Sequence, residues 1–278
     1  MDQSGRNNWT RDEHIIAFNL YCQIPFGTIH IRNPKVIELA RLLGRSIGSV
    51  SRKLANFARL DPTQQQRGIR GLPHGAKGEE EVWREFAEHP EELAFESLRP
   101  VAERVGKSVE QVAGVETEDL PPAGVEREAI VRLRVNQSFF RARVLSAYNF
   151  RCCVTGLAIT PLLVASHIVP WSEDAENRLN PRNGLCLNAL HDRAFDRGLM
   201  WVEDGFIIRF SSALKGTNDD SRLTVAWMTS FESNRLLLPK NFSPDASLLR
   251  RHAGRPRIES APGFFLFPTP HRPASSLA

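Results

Sequence analysis

Cysteine is scarce and irregularly placed: Cys22, the adjacent Cys152 and Cys153, and Cys186 are the only four in 278 residues. That spacing does not make a disulfide framework, so a small disulfide-stapled scaffold is excluded and reduced, mostly buried thiols are expected. Long apolar runs are also missing. Nothing approaches the roughly 20 residues that a helix needs to cross a bilayer, so no membrane partner is expected. Met1 to Thr10 is polar and lacks an apolar h-region; without a secretory signal there, the chain reads as cytoplasmic. Internal repeats are absent, and no aromatic platform for stacking single-stranded bases stands out, which disfavours single strands as a target.

What is present is an ordinary globular composition, 41% hydrophobic and 24% charged, in a length that allows about two domains. A net charge of +4 permits a polyanionic partner without requiring one. The distribution of charge says more. Arg32 to Arg59 carries seven basic residues against the single acid Glu38, and Glu79 to Asp119 reverses this with thirteen acids against four bases. Arg127 to Arg151 turns basic again with six arginines. Such blocks suit nucleic acid, and they equally suit solvated faces.

Three N-terminal helices are predicted. Thr10 caps the first, over residues 9–22; Pro34 opens the second; Gly44 stops it; Ser46 caps a third that runs to about Ala58. The third places Ser49, Arg52, Lys53, Asn56 and Arg59 outward. Helix, short turn and basic helix is the plan of a helix-turn-helix reader, with Arg52, Lys53 and Asn56 as its candidate nucleic-acid contacts. The start Trp9-Thr10-Arg11-Asp12-Glu13 also resembles that of a Myb/SANT-type module. A purely structural bundle is the competing reading.

Residues 1–60 are therefore expected to form a helical, helix-turn-helix-like domain, followed by an acidic helical connector over 61–124. From residue 125 the character changes. Val131, Leu133 and Val135 alternate with arginines and predict a short strand; Gln137–Tyr148 predicts a helix. Apolar runs at Leu162–Ile168 and Leu185–Leu187 predict strands around a polar loop, with a short helix after them and a hairpin over residues 199–210. The tail over 261–278, rich in Pro and Ser, is expected to be disordered.

Within 162–196 the order strand, loop, strand, helix carries His167, Asn183 and His191. Phosphodiester hydrolysis needs a base for water, which histidine supplies near neutral pH, and a cation for the developing charge. The runs Tyr148-Asn149-Phe150-Arg151-Cys152-Cys153-Val154-Thr155-Gly156 and Ser166-His167-Ile168-Val169-Pro170-Trp171 resemble the HNH endonuclease family, particularly its restriction-type branch. Asn183-Gly184-Leu185-Cys186-Leu187-Asn188-Ala189-Leu190-His191 and Phe195-Asp196-Arg197-Gly198-Leu199 continue the match. The resemblance covers residues 125–210.

It implies an α+β architecture: the N-terminal helical domain plus a C-terminal ββα-metal nuclease domain, residues 125–260. It implies His167 as the general base, Asn183 as the residue that orients it and holds the loop, and His191 as ligand to Mg²⁺ or Mn²⁺. Many relatives carry Asp or His where this chain has Ser166, a weak ligand, so Asp192 or Asp196 is a candidate to complete the metal shell. Neither Cys152 nor Cys186 is followed three residues on by a second cysteine, so no structural zinc is expected. Arg178, Arg182, Arg193 and Arg197 stand close enough in sequence to grip flanking phosphates. The implied function is a DNA-cutting enzyme acting on double-stranded DNA in restriction or phage defence, as a homodimer. The alternatives are a catalytically inactive scaffold that binds DNA, and a nuclease directed at RNA.

Overall fold

Thr10 accepts a hydrogen bond from the Glu13 amide, while the Glu13 carboxylate accepts one from the Thr10 amide. This reciprocal cap opens α1 (Arg11–Gln23). The computed structural model describes residues 8–69, 71, 75–115, 121, 124–214, 221–239 and 241–258; the expected disordered tail over 261–278 lies outside them. Asn33 caps α2 (Pro34–Leu43), which Gly44 ends in the left-handed conformation at φ 62°. Ser46 caps α3 (Ile47–Phe57). These boundaries agree with the sequence reading, because each is written in a cap residue, a proline at the first turn or a glycine after the last.

The following segment is a run of short helices: α4 (Pro62–Gln66), α5 (Lys77–Phe86), α6 (Pro90–Glu96), α7 (Leu98–Val105) and α8 (Val109–Val112). Helices α5, α6 and α7 all pack on α1, and α5 also meets α3. Val82, Phe86, Leu93 and Phe95 join the same hydrophobic cluster as Ile15, Phe18, Leu54 and Phe57. The approach of α5 to α1 is close because Gly78 faces the His14 ring; a Cβ there would lie 2.9 Å from His14 Cε1.

The strand expected at Val131–Val135 is not there. Residues Val125–Ala147 form one long helix, α9, with Val131, Val135, Phe139, Phe140 and Val144 buried. The alternation misled because Val131, Val135 and Phe139, four residues apart, share one helical face as well as one strand face. Helix α9 packs against α1 and α6 and against the first two strands of the C-terminal half.

The C-terminal half carries β1 (Leu163–His167) and β2 (Gly184–Asn188), antiparallel, with His167 opposite Gly184 and Ser166 opposite Leu185. Helix α10 (Ala189–Asp196) follows directly. A second antiparallel pair, β3 (Met200–Glu203) and β4 (Ile207–Phe210), forms the predicted hairpin. Two further helices, α11 (Arg222–Thr229) and α12 (Ala246–Ala253), complete this half, and α12 lies against β3. The architecture is α+β. Among the described residues no helix is long and apolar enough to cross a membrane.

Candidate active site

His167 ends β1 and is half-buried. Its ring stacks on Phe140 of α9, centroids 3.8 Å apart and nearly parallel, and Trp171 meets it edge-on at 5.7 Å. Nε2 lies 2.9 Å from the Arg178 carbonyl oxygen. A carbonyl only accepts, so Nε2 carries the hydrogen and Nδ1 keeps the lone pair. Among the described residues nothing bonds Nδ1. Burial pushes the imidazole pKa below its usual value, opposed by the Arg178 carbonyl and the charge of Asp196. Neutral imidazole is therefore the resting form, as a base requires.

Asn183 is fully buried at the 3-10 turn before β2. Its Oδ1 accepts from the Val169 amide at 2.9 Å, and its Nδ2 donates to the carbonyls of Val169 at 3.0 Å and Asn177 at 3.1 Å. It does not bond His167. It closes the 170–182 loop across the end of β1, where His167 stands.

His191 does not stand ready as a metal ligand. It is fully buried. The Asn188 side-chain oxygen accepts from the Leu190 and His191 amides, so its Nδ2 faces His191 Nδ1, 2.8 Å away. An amide nitrogen only donates, so Nδ1 accepts. Nε2 then donates to the Met228 carbonyl at 3.1 Å. Both ring nitrogens are used, and Phe210, Trp227 and Phe231 enclose the ring. Burial holds its pKa below the ordinary value. One residue further along, α10 turns toward Ser166.

Asp192 occupies that position and is half-buried. Burial raises its pKa, and the charge of Asp196, one turn on, raises it further; the nearby Ser166 hydroxyl acts in the opposite direction. Ser166 is itself buried, and its Oγ makes no regular hydrogen bond among the described residues. Asp192 thus neighbours Ser166 and Asp196, and the charge of Asp196 in turn reaches His167. No three of the described His, Cys, Asp and Glu side chains converge as a preformed metal cage.

The expected phosphate contacts separate. Arg182 and Arg193 are exposed. Arg178 is half-buried; its Nε donates to the Trp171 carbonyl, and its guanidinium lies 5.6 Å from the Trp171 ring centroid. That side chain braces the loop holding the His167 partner carbonyl.

On α3 the outcome is different. Arg52 is exposed, but Lys53 and Asn56 are buried against the fully buried Glu79 of α5. Lys53 Nζ pairs with Glu79 Oε1, which also accepts from Asn56 Nδ2 at 2.9 Å. The acidic segment covers this part of the basic face, so Lys53 and Asn56 are not available to a phosphate. The helix-turn-helix reading is left with Arg52 alone of its three contacts.

Cys152 Sγ faces the Asn188 amide, and Cys153 and Cys186 are fully buried beside it. His252 stacks on Phe195 with centroids 3.6 Å apart and bonds the Phe195 carbonyl, a packing role. Phe140, Trp171 and the Arg178 carbonyl were missed by sequence reasoning, since two hold His167 by ring contact and one by backbone. The only signal for Asp192 was a carboxylate pair four residues apart on one short helix.

A comparison with curated proteins gave no match. The HNH endonuclease family does match, over residues 152–203, the segment that runs from Cys152 through β1, β2 and α10 to the end of β3. The chain carries an HNH endonuclease domain over those residues.

Proposed function

We propose that the protein is a metal-dependent endonuclease that hydrolyses phosphodiester bonds of double-stranded DNA with His167 as general base. The observation that carries this reading is the hydrogen bond from His167 Nε2 to the Arg178 carbonyl. It commits Nδ1 to accepting a proton from water, on a ring clamped between Phe140 and Trp171. Asn183 keeps that carbonyl's loop against β1.

The donors beside His167 fit a hard divalent cation. Asp192 and Asp196 are carboxylates one turn apart, and the buried Ser166 Oγ lacks a regular hydrogen-bond partner. One or two carboxylates, with water and substrate phosphate oxygens completing the shell, is how Mg²⁺ is commonly held. When bound there, Mg²⁺ or Mn²⁺ would stabilise charge on the scissile phosphate and leaving oxygen. Asp192 replaces His191 in this assignment. His191 instead locks the start of α10 onto Asn188 and α11, which fixes the direction of Asp192. Arg182 and Arg193 grip flanking phosphates.

Cutting both strands from one site per chain calls for two copies, so a homodimer on DNA is part of the proposal. Removal of foreign DNA, in restriction or phage defence, is the setting such an activity suits. Incubation with plasmid and Mg²⁺ or Mn²⁺, beside His167→Ala, tests the reading: wild type cuts, the variant does not. Equal cutting by both overturns it.

A second reading, an inactive scaffold that binds DNA, has one observation in its favour: Ser166 stands where a carboxylate would bind metal, and His191 is occupied. It requires a DNA mobility shift that is independent of metal, and no cleavage under any cation.

A further inference from the structure

A cavity of about 550 Å³ opens between the N-terminal helices and α9, apart from the nuclease residues. Phe26, Trp83 and Phe242 contribute flat apolar wall, and Thr28, Asn149 and Asn241 contribute polar edges. Its volume lies in the range of about 300–1,000 Å³ typical of small-molecule sites.

Arg143 enters the wall from α9. Its guanidinium lies 5.5 Å from the ring centroids of both Phe139 and Phe242. Nη1 donates to the Leu179 carbonyl at 3.1 Å, while Nε is buried with no hydrogen-bond partner. Among the described residues Arg143 has no ion-pair partner. Asp61, on the same wall, is committed elsewhere: Oδ2 accepts from the Tyr21 hydroxyl at 2.7 Å, and Oδ1 from the Thr63 amide and hydroxyl. Burial lowers the Arg143 pKa, and Cys22 and Asp61 oppose this without cancelling it. A cation taken out of water without a paired anion is costly, and an anion entering the cavity relieves that cost. At the rim, Arg67 adds a second positive charge, bonded to Gln64 and Asn241; the exposed Glu88 adds a negative one.

We propose that this cavity binds a nucleotide, its base against Phe26, Trp83 and Phe242 and its phosphate at Arg143. The shared chemistry, a planar base bearing a phosphate, has two sources: a free nucleotide, or one turned out of a duplex. The site also touches the machinery of His167. Arg143 holds the Leu179 carbonyl, and the preceding carbonyl, Arg178, holds His167 Nε2. An occupant drawing on Arg143 therefore acts on the strand of loop that fixes the base.

The test is equilibrium binding to the full chain in EDTA, so that it does not depend on whether His167 cleaves. Tryptophan fluorescence, to which Trp83 contributes as one of five tryptophans, is followed with the four nucleoside monophosphates, the matching nucleosides, inorganic phosphate, and duplexes with or without one unpaired nucleotide. Saturable quenching by a monophosphate, at least tenfold weaker with its nucleoside and in Arg143→Gln, supports the free nucleotide. Tighter binding of the unpaired duplex than the paired one, with the preference lost in Phe242→Ala, supports the everted nucleotide. If Arg143→Gln does not fold, Phe242→Ala and the cavity-filling Thr28→Trp replace it. No monophosphate binding together with no duplex preference overturns the proposal, as does binding unchanged by all of these substitutions.

Discussion

His167 Nε2 and the Arg178 carbonyl oxygen stand 2.9 Å apart, and this one bond decides which ring nitrogen can take a proton. A peptide oxygen cannot change its protonation state, so the tautomer is set by the fold rather than by pH. The partner carbonyl is fixed in turn by the Arg178 side chain, which bonds the Trp171 carbonyl, and by Arg143 on the next residue.

If this ring is the base, His167→Ala lowers the cleavage rate by about 10²–10⁴-fold, the usual contribution of a positioned general base. Circular dichroism and the urea midpoint change little, because the ring is half-exposed. Plasmid nicking under single-turnover conditions measures the rate. A loss below tenfold would remove His167 from the chemistry.

The metal assignment separates two adjacent residues. Asp192→Asn is expected to raise the Mn²⁺ concentration needed for half-maximal cleavage at least tenfold, with the fold intact. His191→Gln is expected to act through stability, losing about 1–3 kcal/mol as Asn188 and the Met228 carbonyl lose their partner. Its folded fraction at low temperature then keeps the wild-type metal dependence. The reverse pattern, a metal shift in His191→Gln alone, would restore His191 as the ligand.

Much of this was legible in the sequence. Helix ends were readable where a side chain writes them locally, as Thr10, Pro34, Gly44 and Ser46 do. The places of His167 at the end of β1 and of Asn183 at the turn before β2 followed from their order and spacing. The burial of His191 did not, since a one-residue step on α10 rotates a side chain by about 100° and exchanges core for surface. Nor could sequence show that Glu79 would meet Lys53. An outward-facing lysine in isolation became a buried one when α5 docked through Gly78. Long-range packing decided both.

That docking gives a third prediction. Lys53 and Glu79 are a buried pair, and removing Lys53 leaves the buried carboxylate with Asn56, the Ala76 amide and the Arg59 guanidinium at 3.9 Å. The cost lies toward the lower end of the about 3–5 kcal/mol for breaking such a pair. Lys53→Ala is therefore expected to lose most of its urea stability, whereas Arg52→Ala, exposed on the same helix, loses almost none. A Lys53→Ala protein of normal stability with weakened DNA binding would return Lys53 to the nucleic-acid face.

Acid should destabilise the fold in a defined window. His252 is buried against Phe195, its Nδ1 has no hydrogen-bond partner, and burial lowers its pKa to about 4. The folded state thus binds its proton less readily than the unfolded chain, whose histidines titrate near 6.5. Stability is complete above that value and falls as pH drops toward 4, by about 3 kcal/mol if the whole shift is expressed. His14, His167 and His191 have lowered pKa values as well and act with the same sign. Urea midpoints at pH 8, 6.5, 5 and 4 should decline in that order, and the decline should be shallower in His252→Phe. An unchanged slope in that variant would clear His252 of the effect.

Gly184 links packing to the proposed chemistry. It faces His167 across the β1–β2 ladder, and a Cβ there would fall inside contact distance of Val144 Cγ2 and 3.0 Å from Phe140 Cζ. The glycine of the Asn183-Gly184 pair is thus required by the close approach of α9, not by its φ. Gly184→Ala is expected to push α9 away at a cost of about 1–3 kcal/mol, the usual range for overpacking. Phe140 is the ring on which His167 stacks, so the same methyl should disturb the base. Cleavage should therefore fall more than the loss of folded protein explains, while Phe140→Leu, which keeps the volume and removes the ring face, should lower the rate with a smaller stability loss. Full activity in the folded fraction of Gly184→Ala would show that the stack on Phe140 is not what holds His167.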